Sequence, residues 1–215
     1  MTIIKQECGP VATNTYIVFD DTKEAVIIDA PLDSAQIISS IVHEYDLKVK
    51  YLLLTHTHWD HTGNASRVVK DTGAKLGVHK EDEYRLKNPS EFSVIPLPFK
   101  IDSVQADFLV NEGDKLFFGE QIFYVLHTPG HTEGGICFVE SNNKVIFAGD
   151  TLFKGSVGRV DMPGGDGNTL DKSIKEKLFV LPDDFTVYCG HGPETTIGEE
   201  KSQNPFVGLD SVGLL

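Results

Sequence analysis

The sequence predicts an α+β fold in which stacked β-sheets are covered by a small number of helices. Short segments rich in β-branched and aromatic residues recur along the chain between turn residues, as they do in strands. Three other stretches place apolar side chains at helical spacing. The chain has 215 residues, of which 40% are hydrophobic, so we predict a single domain over residues 1–215.

The first half of the chain alternates predicted strands with two predicted helices. One helix follows Asp33, the predicted N-cap, because Ile38 and Ile41 then share a face. A second helix is predicted over Asn64–Lys70. The predicted strands are Thr2–Glu7, Thr15–Phe19, Glu24–Asp29, Tyr51–Thr55 and Leu76–His79.

The second half begins with an irregular segment, Asn88–Val104, where repeated prolines exclude a helix. A further amphipathic helix is predicted over Thr169–Leu178, with Asn168 as its cap. The predicted strands are Lys115–Phe118, Gln121–Leu126, Gly135–Glu140, Lys144–Ala148 and Thr186–Cys189.

The charge balance excludes several classes of partner. The formal net charge is -13, which disfavours nonspecific binding of nucleic acid or of an anionic membrane surface. No apolar run approaches the length of a membrane span, and the first residues lack a signal-peptide pattern. The three cysteines are few and far apart, which favours a reducing compartment. We therefore expect a cytoplasmic protein that acts on a small molecule, as a monomer or a small homo-oligomer.

A histidine-rich segment follows the predicted strand Tyr51–Thr55 and reads His56-x-His58-x-Asp60-His61. Alternate residues of an extended segment point the same way, so His56, His58 and Asp60 can converge. Neutral imidazoles and carboxylates are ligands that suit zinc, iron or manganese. The alternative is a polar surface loop, which the preceding buried strand and the spacing disfavour.

Three further candidate ligands each follow a glycine that comes after a predicted strand. They are His131 after Gly130, Asp150 after Gly149 and His191 after Gly190. Glycine permits the sharp turn or close approach that delivers a polar side chain to the end of a sheet. Each of these alone is typical of a simple turn, but together they bring the set of candidate ligands to seven, enough for two metals.

The remaining candidates have less specific signals. His43 and His79 are interpreted as a solvated and a structural residue, and His127 as either a core residue or a support for the ligands. Asp29 ends a buried strand, where an unpaired carboxylate costs several kcal/mol. It is interpreted as bracing the histidine loop by hydrogen bonds, with a simple turn cap as the alternative. Cys189 is interpreted as a buried structural thiol.

The ligand pattern resembles the metallo-β-lactamase superfamily, whose order of motifs it follows along nearly the whole chain. The resemblance implies a four-layer αββα sandwich with the metals at one edge of the sheets. It also implies that His56, His58 and His131 hold one metal, that Asp60, His61 and His191 hold the other, and that Asp150 bridges them.

Within that superfamily, the segments Gly149–Phe153 and Gly158-Arg159 resemble the glyoxalase II branch, the hydroxyacylglutathione hydrolases. The longer enzymes of that branch add a basic C-terminal region that grips glutathione, whereas here Lys201 is the only basic residue after His191. The chain therefore resembles the short bacterial type of glyoxalase II-like protein more than the longer enzymes. Arg159 takes the place of the lysine in the family's Lys-aromatic-Tyr motif, whose tyrosine is missing here, and we expect Arg159 to contact the substrate.

The resemblance implies hydrolysis of a glutathione-type thioester, S-D-lactoylglutathione, to D-lactate and glutathione. A hydroxide shared by two divalent metals, zinc above all, would attack the carbonyl, because two cations lower the pKa of a shared water. Asp60 would orient this nucleophile and Asp150 would fix the metal pair, so both are expected to be catalytic. The alternatives are a mononuclear-iron persulfide dioxygenase, a hydrolase of another ester or lactone, and a metal-binding protein without catalysis.

Overall fold

The computed structural model describes residues 1–92, 96–211 and 213. In the first half of the chain, the strands are β1 (Thr2–Cys8), β2 (Thr13–Phe19), β3 (Glu24–Ile28), β4 (Lys48–Leu53), β5 (Lys75–His79) and β6 (Phe108–Val110). The helices between them are α1 (Ser34–Glu44), α2 (Trp59–Thr62) and α3 (Ala65–Thr72). Two short 3-10 helices follow β5, at Glu83–Leu86 and Pro89–Phe92.

In the second half, the strands are β7 (Lys115–Phe118), β8 (Gln121–His127), β9 (Ile136–Glu140), β10 (Val145–Gly149), β11 (Leu152–Phe153), β12 (Ser156–Val157), β13 (Thr186–Cys189) and β14 (Thr195–Thr196). The helices are α4 (Gly167–Ser173), which continues as a π-helical turn over Ile174–Leu178, and α5 (Ile197–Gln203). Among the helices of the described ranges, none has the length and apolar composition that crossing a bilayer requires.

The strands form two six-stranded sheets and one small hairpin. The first sheet runs in the order β1-β2-β3-β4-β5-β6, and its last four strands are parallel. The second runs β14-β13-β10-β9-β8-β7, with β10 and β13 parallel. Among the strands of the described residues, β11 and β12 pair only with each other.

Three hydrophobic clusters separate four layers. Residues that alternate along a strand face opposite sides of the sheet, so Ile17 of β2 packs toward α1 and α3 while Val18 faces the second sheet. Phe123 and Phe147 fill the space between the sheets. The third cluster joins the outer face of the second sheet to α4 and α5. The predicted αββα sandwich is therefore confirmed.

Two helix starts differ from the predictions. Asp33 precedes α1, but its backbone is left-handed at φ 65° and its side chain caps nothing. Helix α4 begins two residues before its predicted start, because the carboxylate of Asp166, not the side chain of Asn168, accepts the hydrogen bond from Thr169 N. A carboxylate at this position stabilises the helix by satisfying a free backbone N–H of its first turn. Strands β6, β11, β12 and β14 and helix α5 were not predicted.

Candidate metal centre

The candidate ligands meet where strands from both sheets end. His56 follows β4 of the first sheet, while Asp150 and His191 follow the parallel strands β10 and β13 of the second. Backbone hydrogen bonds join the two sheets at this edge, from Ile136 N to Thr55 O at 2.9 Å and from Asn14 N to Gly190 O at 2.7 Å. The edge is therefore a fixed platform built from both sheets.

Glycines allow the loops to approach each other closely, as the sequence predicted. A Cβ on Gly190 would lie 2.1 Å from Asp150 Oδ1 and 2.8 Å from His61 Cε1. Gly149 has a φ of 50°, and a Cβ there would lie 2.4 Å from Thr55 Oγ1. A side chain at Gly190 would displace Asp150 and His61, and one at Gly149 would displace Thr55.

The first set of candidate ligands, the three-histidine group, consists of His56, His58 and His131. All three rings are buried, and His58 Nδ1 lies 2.9 Å from His131 Nε2. Burial and the neighbouring His131 lower the pKa of His58 to about 3. Burial and the adjacent His61 lower the pKa of His56 well below its usual value. Both imidazoles are therefore neutral at cellular pH, the form that binds metal.

The second set, the mixed group, consists of Asp60, His61 and His191. Asp60 Oδ2 lies 3.2 Å from His191 Nε2, which in turn lies 3.3 Å from His61 Nε2. Burial lowers the pKa of His61, but the carboxylates of Asp150, Asp29 and Asp60 outweigh this effect and raise that pKa well above its usual value. The group therefore concentrates negative charge around its imidazoles.

Asp150 lies between the two groups and contacts both. Its Oδ2 is 3.5 Å from His131 Nε2 and 3.6 Å from His191 Nε2, and its Oδ1 is 3.3 Å from His61 Nε2. Burial alone would raise the pKa of this carboxyl, but His61 and the other two imidazoles hold it well below its usual range. The structure thus brings together all seven candidate ligands.

Hydrogen bonds fix which nitrogen of each ring faces the centre. Three rings donate from Nδ1 to oxygen acceptors: His61 to Asp29 at 2.8 Å, His131 to Arg159 O at 2.8 Å and His191 to Val11 O at 3.1 Å. In the neutral form of each ring, which is the form that binds metal, the lone pair is then on Nε2 and points inward. Such bonds to the outer nitrogen are characteristic of metal-binding histidines.

Asp29 lies behind the cluster, where it was expected to brace the histidine loop. Its carboxylate accepts from His61 Nδ1 and from the backbone N and hydroxyl of Thr55, each at 2.8 Å. The Thr55 hydroxyl donates to Asp29, so it accepts from His56 Nδ1 at 3.2 Å. Asp29 thereby orients one ring of each group.

The cluster has the dimensions of a divalent metal site. Two nitrogens bound to one tetrahedral zinc are about 3.3 Å apart. The facing nitrogens of His58 and His131 are 2.9 Å apart, and those of His61 and His191 are 3.3 Å apart. Within the described part of the chain, His56 Nε2 is buried without any hydrogen-bond partner, although it points into a polar cluster. A bound cation would satisfy this atom.

The family model of the metallo-beta-lactamase superfamily matches residues 8–191, which include every one of these candidate ligands. The chain belongs to the metallo-beta-lactamase superfamily. The hydroxyacylglutathione hydrolase GloC of Haemophilus influenzae is 42% identical over 201 residues, which are 92% of this chain and 94% of that protein.

Two solved structures are also similar. The BLEG-1 B3 metallo-beta-lactamase has a TM-score of 0.90 and 35% identity, covering 96% of this chain and 99% of that one. TTHA1623 in a di-iron-bound form has a TM-score of 0.82 and 32% identity, covering 94% and 98%. The metallo-beta-lactamase fold and the His/Asp cluster together support binding of divalent metals.

A cavity of about 460 Å³ opens over Asp150 and over members of both groups, namely His58, His131, Asp60 and His191. This volume suits a small organic molecule. The cavity also reaches Arg159, whose guanidinium forms two hydrogen bonds of 2.7 Å to Asp161. Its walls are mainly apolar and include Val11, Trp59, Phe153, Val157 and Met162.

Helix α5 holds one wall of this cavity in place. The buried carboxylate of Glu200 accepts from Gly155 N at 3.0 Å, and Asn204 Nδ2 donates to Ser156 O at 3.0 Å. These bonds fasten the β11–β12 hairpin, which supplies Phe153 and Val157. This contact has no signal in the sequence, because Glu200 is separated from the hairpin by three intervening elements.

The remaining histidines and Cys189 lie outside the two groups. His43 is exposed on α1, and the side chain of Cys189 is fully buried. His79 and His127 stack with their ring centroids 4.0 Å apart. His127 Nε2 donates to Glu133 O at 2.8 Å, so its ring is hydrogen-bonded outside the two ligand groups.

One contact that sequence reasoning missed is the 3.3 Å hydrogen bond from the Thr13 hydroxyl to Asp60.

Proposed function

We propose that this protein is a hydrolase of glutathione-type thioesters that converts S-D-lactoylglutathione to D-lactate and glutathione. The observation that carries the proposal is the position of Asp150 between two ligand groups, directly below an open cavity. The similarity to GloC, a hydroxyacylglutathione hydrolase, supports the choice of substrate.

In this proposal, the three-histidine group holds one divalent cation, the mixed group holds the second, and Asp150 belongs to both. Zinc is our first choice, with iron or manganese as alternatives, because imidazole and carboxylate ligands suit all three metals. Two such cations would lower the pKa of a shared water toward neutrality and polarise the thioester carbonyl.

The side chains of the protein orient the nucleophile and the substrate. Asp60 is fixed by the Thr13 hydroxyl at 3.3 Å and faces the cavity, so it can accept a hydrogen bond from the attacking water. The thiolate is a good leaving group, and no acid is needed to protonate it. Trp59 and Phe153 offer apolar surface to the carbon chain of the substrate.

We also propose that the protein acts in the cytoplasm as a monomer or small homo-oligomer. Cys8, Cys137 and Cys189 are all buried free thiols, which suits a reducing compartment.

The test is a side-by-side screen of the purified protein after its bound metals have been measured. The substrates are S-D-lactoylglutathione, a lactone, a phosphodiester, a β-lactam and glutathione persulfide with oxygen. We expect the thioester to be cleaved most efficiently. Efficient cleavage of the lactone or phosphodiester with no reaction of any glutathione thioester would contradict the proposal.

Hydrolysis of a β-lactam is the second candidate function. It is favoured by the similarity to the BLEG-1 B3 metallo-beta-lactamase, which extends over 96% of this chain. The same screen separates the two functions. Oxygen consumption with glutathione persulfide and a single bound iron would instead indicate a persulfide dioxygenase.

Arg159 gives a prediction about substrate binding. The side chain is more than half exposed and is paired with Asp161, so an added contact to a substrate carboxylate is worth about 1 kcal/mol. Arg159→Ala should raise KM about fivefold and leave kcat and metal content unchanged, since it removes uniform binding. Steady-state kinetics with S-D-lactoylglutathione measures both parameters.

Asp161→Asn is the matched variant, because it removes the intramolecular partner of Arg159 and leaves the guanidinium free for the substrate. It should lower KM for the anionic thioester, and neither variant should affect a neutral thioester. A change in kcat without a change in KM for Arg159→Ala would refute the assigned role.

A further inference from the structure

A buried carboxylate outside the two ligand groups connects the loops that carry the three-histidine group. Asp82 follows β5 and has no exposed surface. One of its oxygens, Oδ2, accepts from Thr57 N at 3.0 Å and from the Thr132 hydroxyl at 2.9 Å. The other, Oδ1, accepts from Gly134 N at 2.7 Å. The Thr57 hydroxyl also donates to the Asp82 carbonyl at 2.9 Å.

These partners are the immediate neighbours of candidate ligands. Thr57 lies between His56 and His58, and Thr132 directly follows His131. The first loop leaves β4 of the first sheet, and the second leaves β8 of the second sheet. A single carboxylate oxygen therefore ties together two loops that come from different sheets.

The charge of this carboxylate is balanced inside the protein. Arg85 is 2% exposed and donates from one nitrogen to Asp82 Oδ1 at 2.8 Å. Its other nitrogen donates to the Glu133 carboxylate and to Pro163 O. Burying a charge that has a complete set of hydrogen-bond partners costs much less free energy than burying an unpaired one. Such a network also holds the groups around it in place.

The His131 loop packs tightly against Asp82. A Cβ on Gly134 would lie 2.7 Å from Asp82 Cβ, so the His131 loop can approach only because this residue is glycine. Asp82 is therefore tightly packed between the two loops.

We propose that Asp82 is a positioning residue that sets the metal affinity of the three-histidine group without touching the cation. The inference rests on the proposed function, in which that group holds one of two cations. Hydrogen bonds beyond the ligands typically change metal affinity about 10- to 100-fold. Asp82 reaches the ligands of this group only through the backbone and hydroxyl of their neighbours, and the mixed group lies outside its contacts in the described ranges.

The test compares variants of the full-length protein, stripped of metal and titrated with Zn²⁺ against a chelator and with Co²⁺ by visible absorption. Asp82→Asn should weaken one of the two cation affinities about 100-fold, and Thr132→Val, which removes one bond, about tenfold. Thr132→Ser keeps the hydroxyl and should restore the wild-type affinity. The Co²⁺ spectrum of the other site should be unchanged in every variant.

Asp20→Asn is the matched control. This carboxylate also joins two loops, accepting from Thr22 and from Glu120 N, but it follows β2 at the end of the sheet opposite the candidate centre. Its substitution should lower the free energy of unfolding and leave both cation affinities unchanged. If Asp82→Asn does not fold, the Thr132→Val and Thr132→Ser pair decides the question.

Wild-type affinity for both cations in Thr132→Val would overturn the inference, as would an equal loss in Asp20→Asn. In both cases wild-type protein that still binds two cations and cleaves the thioester would leave the proposed function standing. Wild-type protein that binds no cation at the three-histidine group would overturn both proposals.

Discussion

Asp150→Ala is expected to lower metal content well below the wild-type value and to reduce thioester hydrolysis about 1,000-fold or more, the scale of losing a main electrostatic element of a site. The reason is its position: its two oxygens contact His61 on one side and His131 and His191 on the other. Its loss removes a candidate ligand from both groups. It also removes the carboxylate whose negative charge would offset the positive charge of two neighbouring cations. Metal analysis after gel filtration, together with steady-state kinetics, measures both effects.

The control for this variant is Asp166→Ala. Asp166 is also an aspartate near the cavity loops, but its carboxylate caps α4 by accepting from Thr169 N. That substitution should slightly lower the melting temperature, because α4 loses its cap, and should leave the metals in place. Full metal content and full rate in Asp150→Ala would show that the bridging assignment is wrong.

His61→Ala has the second largest expected effect. His61 is fully buried, and its Nε2 faces Asp60, Asp150 and His191. Its removal should release the cation of the mixed group and leave that of the three-histidine group tightly bound. Hydrolysis should fall about 100-fold or more if the reaction needs both cations.

The exposed His43 on α1 gives the matched control, and His43→Ala should change neither metal content nor rate. In a dioxygenase with a single iron, His61→Ala should have only a mild effect. Unchanged hydrolysis with one metal lost would therefore mean that the second site is dispensable.

The sequence was enough to predict the seven candidate ligands, because each follows a strand whose apolar pattern is visible. In stacked sheets, strands that run in the same direction end at the same edge, so residues as distant as His56 and His191 were expected to converge. Asp29 could be singled out for the same reason, since a carboxylate at the end of a buried strand needs partners.

Asp82 and Glu200 could not be predicted, because their partners are set by tertiary packing and not by local pattern. Asp82 follows a strand through a short polar turn, where an acidic residue is typical of an exposed surface. Its burial depends on the approach of the His131 loop from the other sheet. The predicted N-cap of α4 was wrong for a different reason. Asp166 and Asn168 are both suitable cap residues, and only the backbone conformation selects between them.

The ion pair between Arg159 and Asp161 changes the expectation for substrate binding. Only Val160 separates the two residues, and the pairing places a negative charge beside the cation that was expected to contact the substrate. The apolar walls of the cavity then contribute more to binding than a single exposed cation can. The acyl chain and the carbon skeleton of the thiol are therefore expected to contribute much of the affinity.

The most direct test of the central claim is a titration of metal-free protein with Zn²⁺ while hydrolysis of S-D-lactoylglutathione is followed. If two cations share Asp150 and act together, the rate should rise mainly with the second equivalent and should saturate at two per chain. A rate that is already maximal at one equivalent would contradict the two-metal account. So would a protein that cleaves no thioester at any zinc loading and instead consumes oxygen with glutathione persulfide when it holds a single iron.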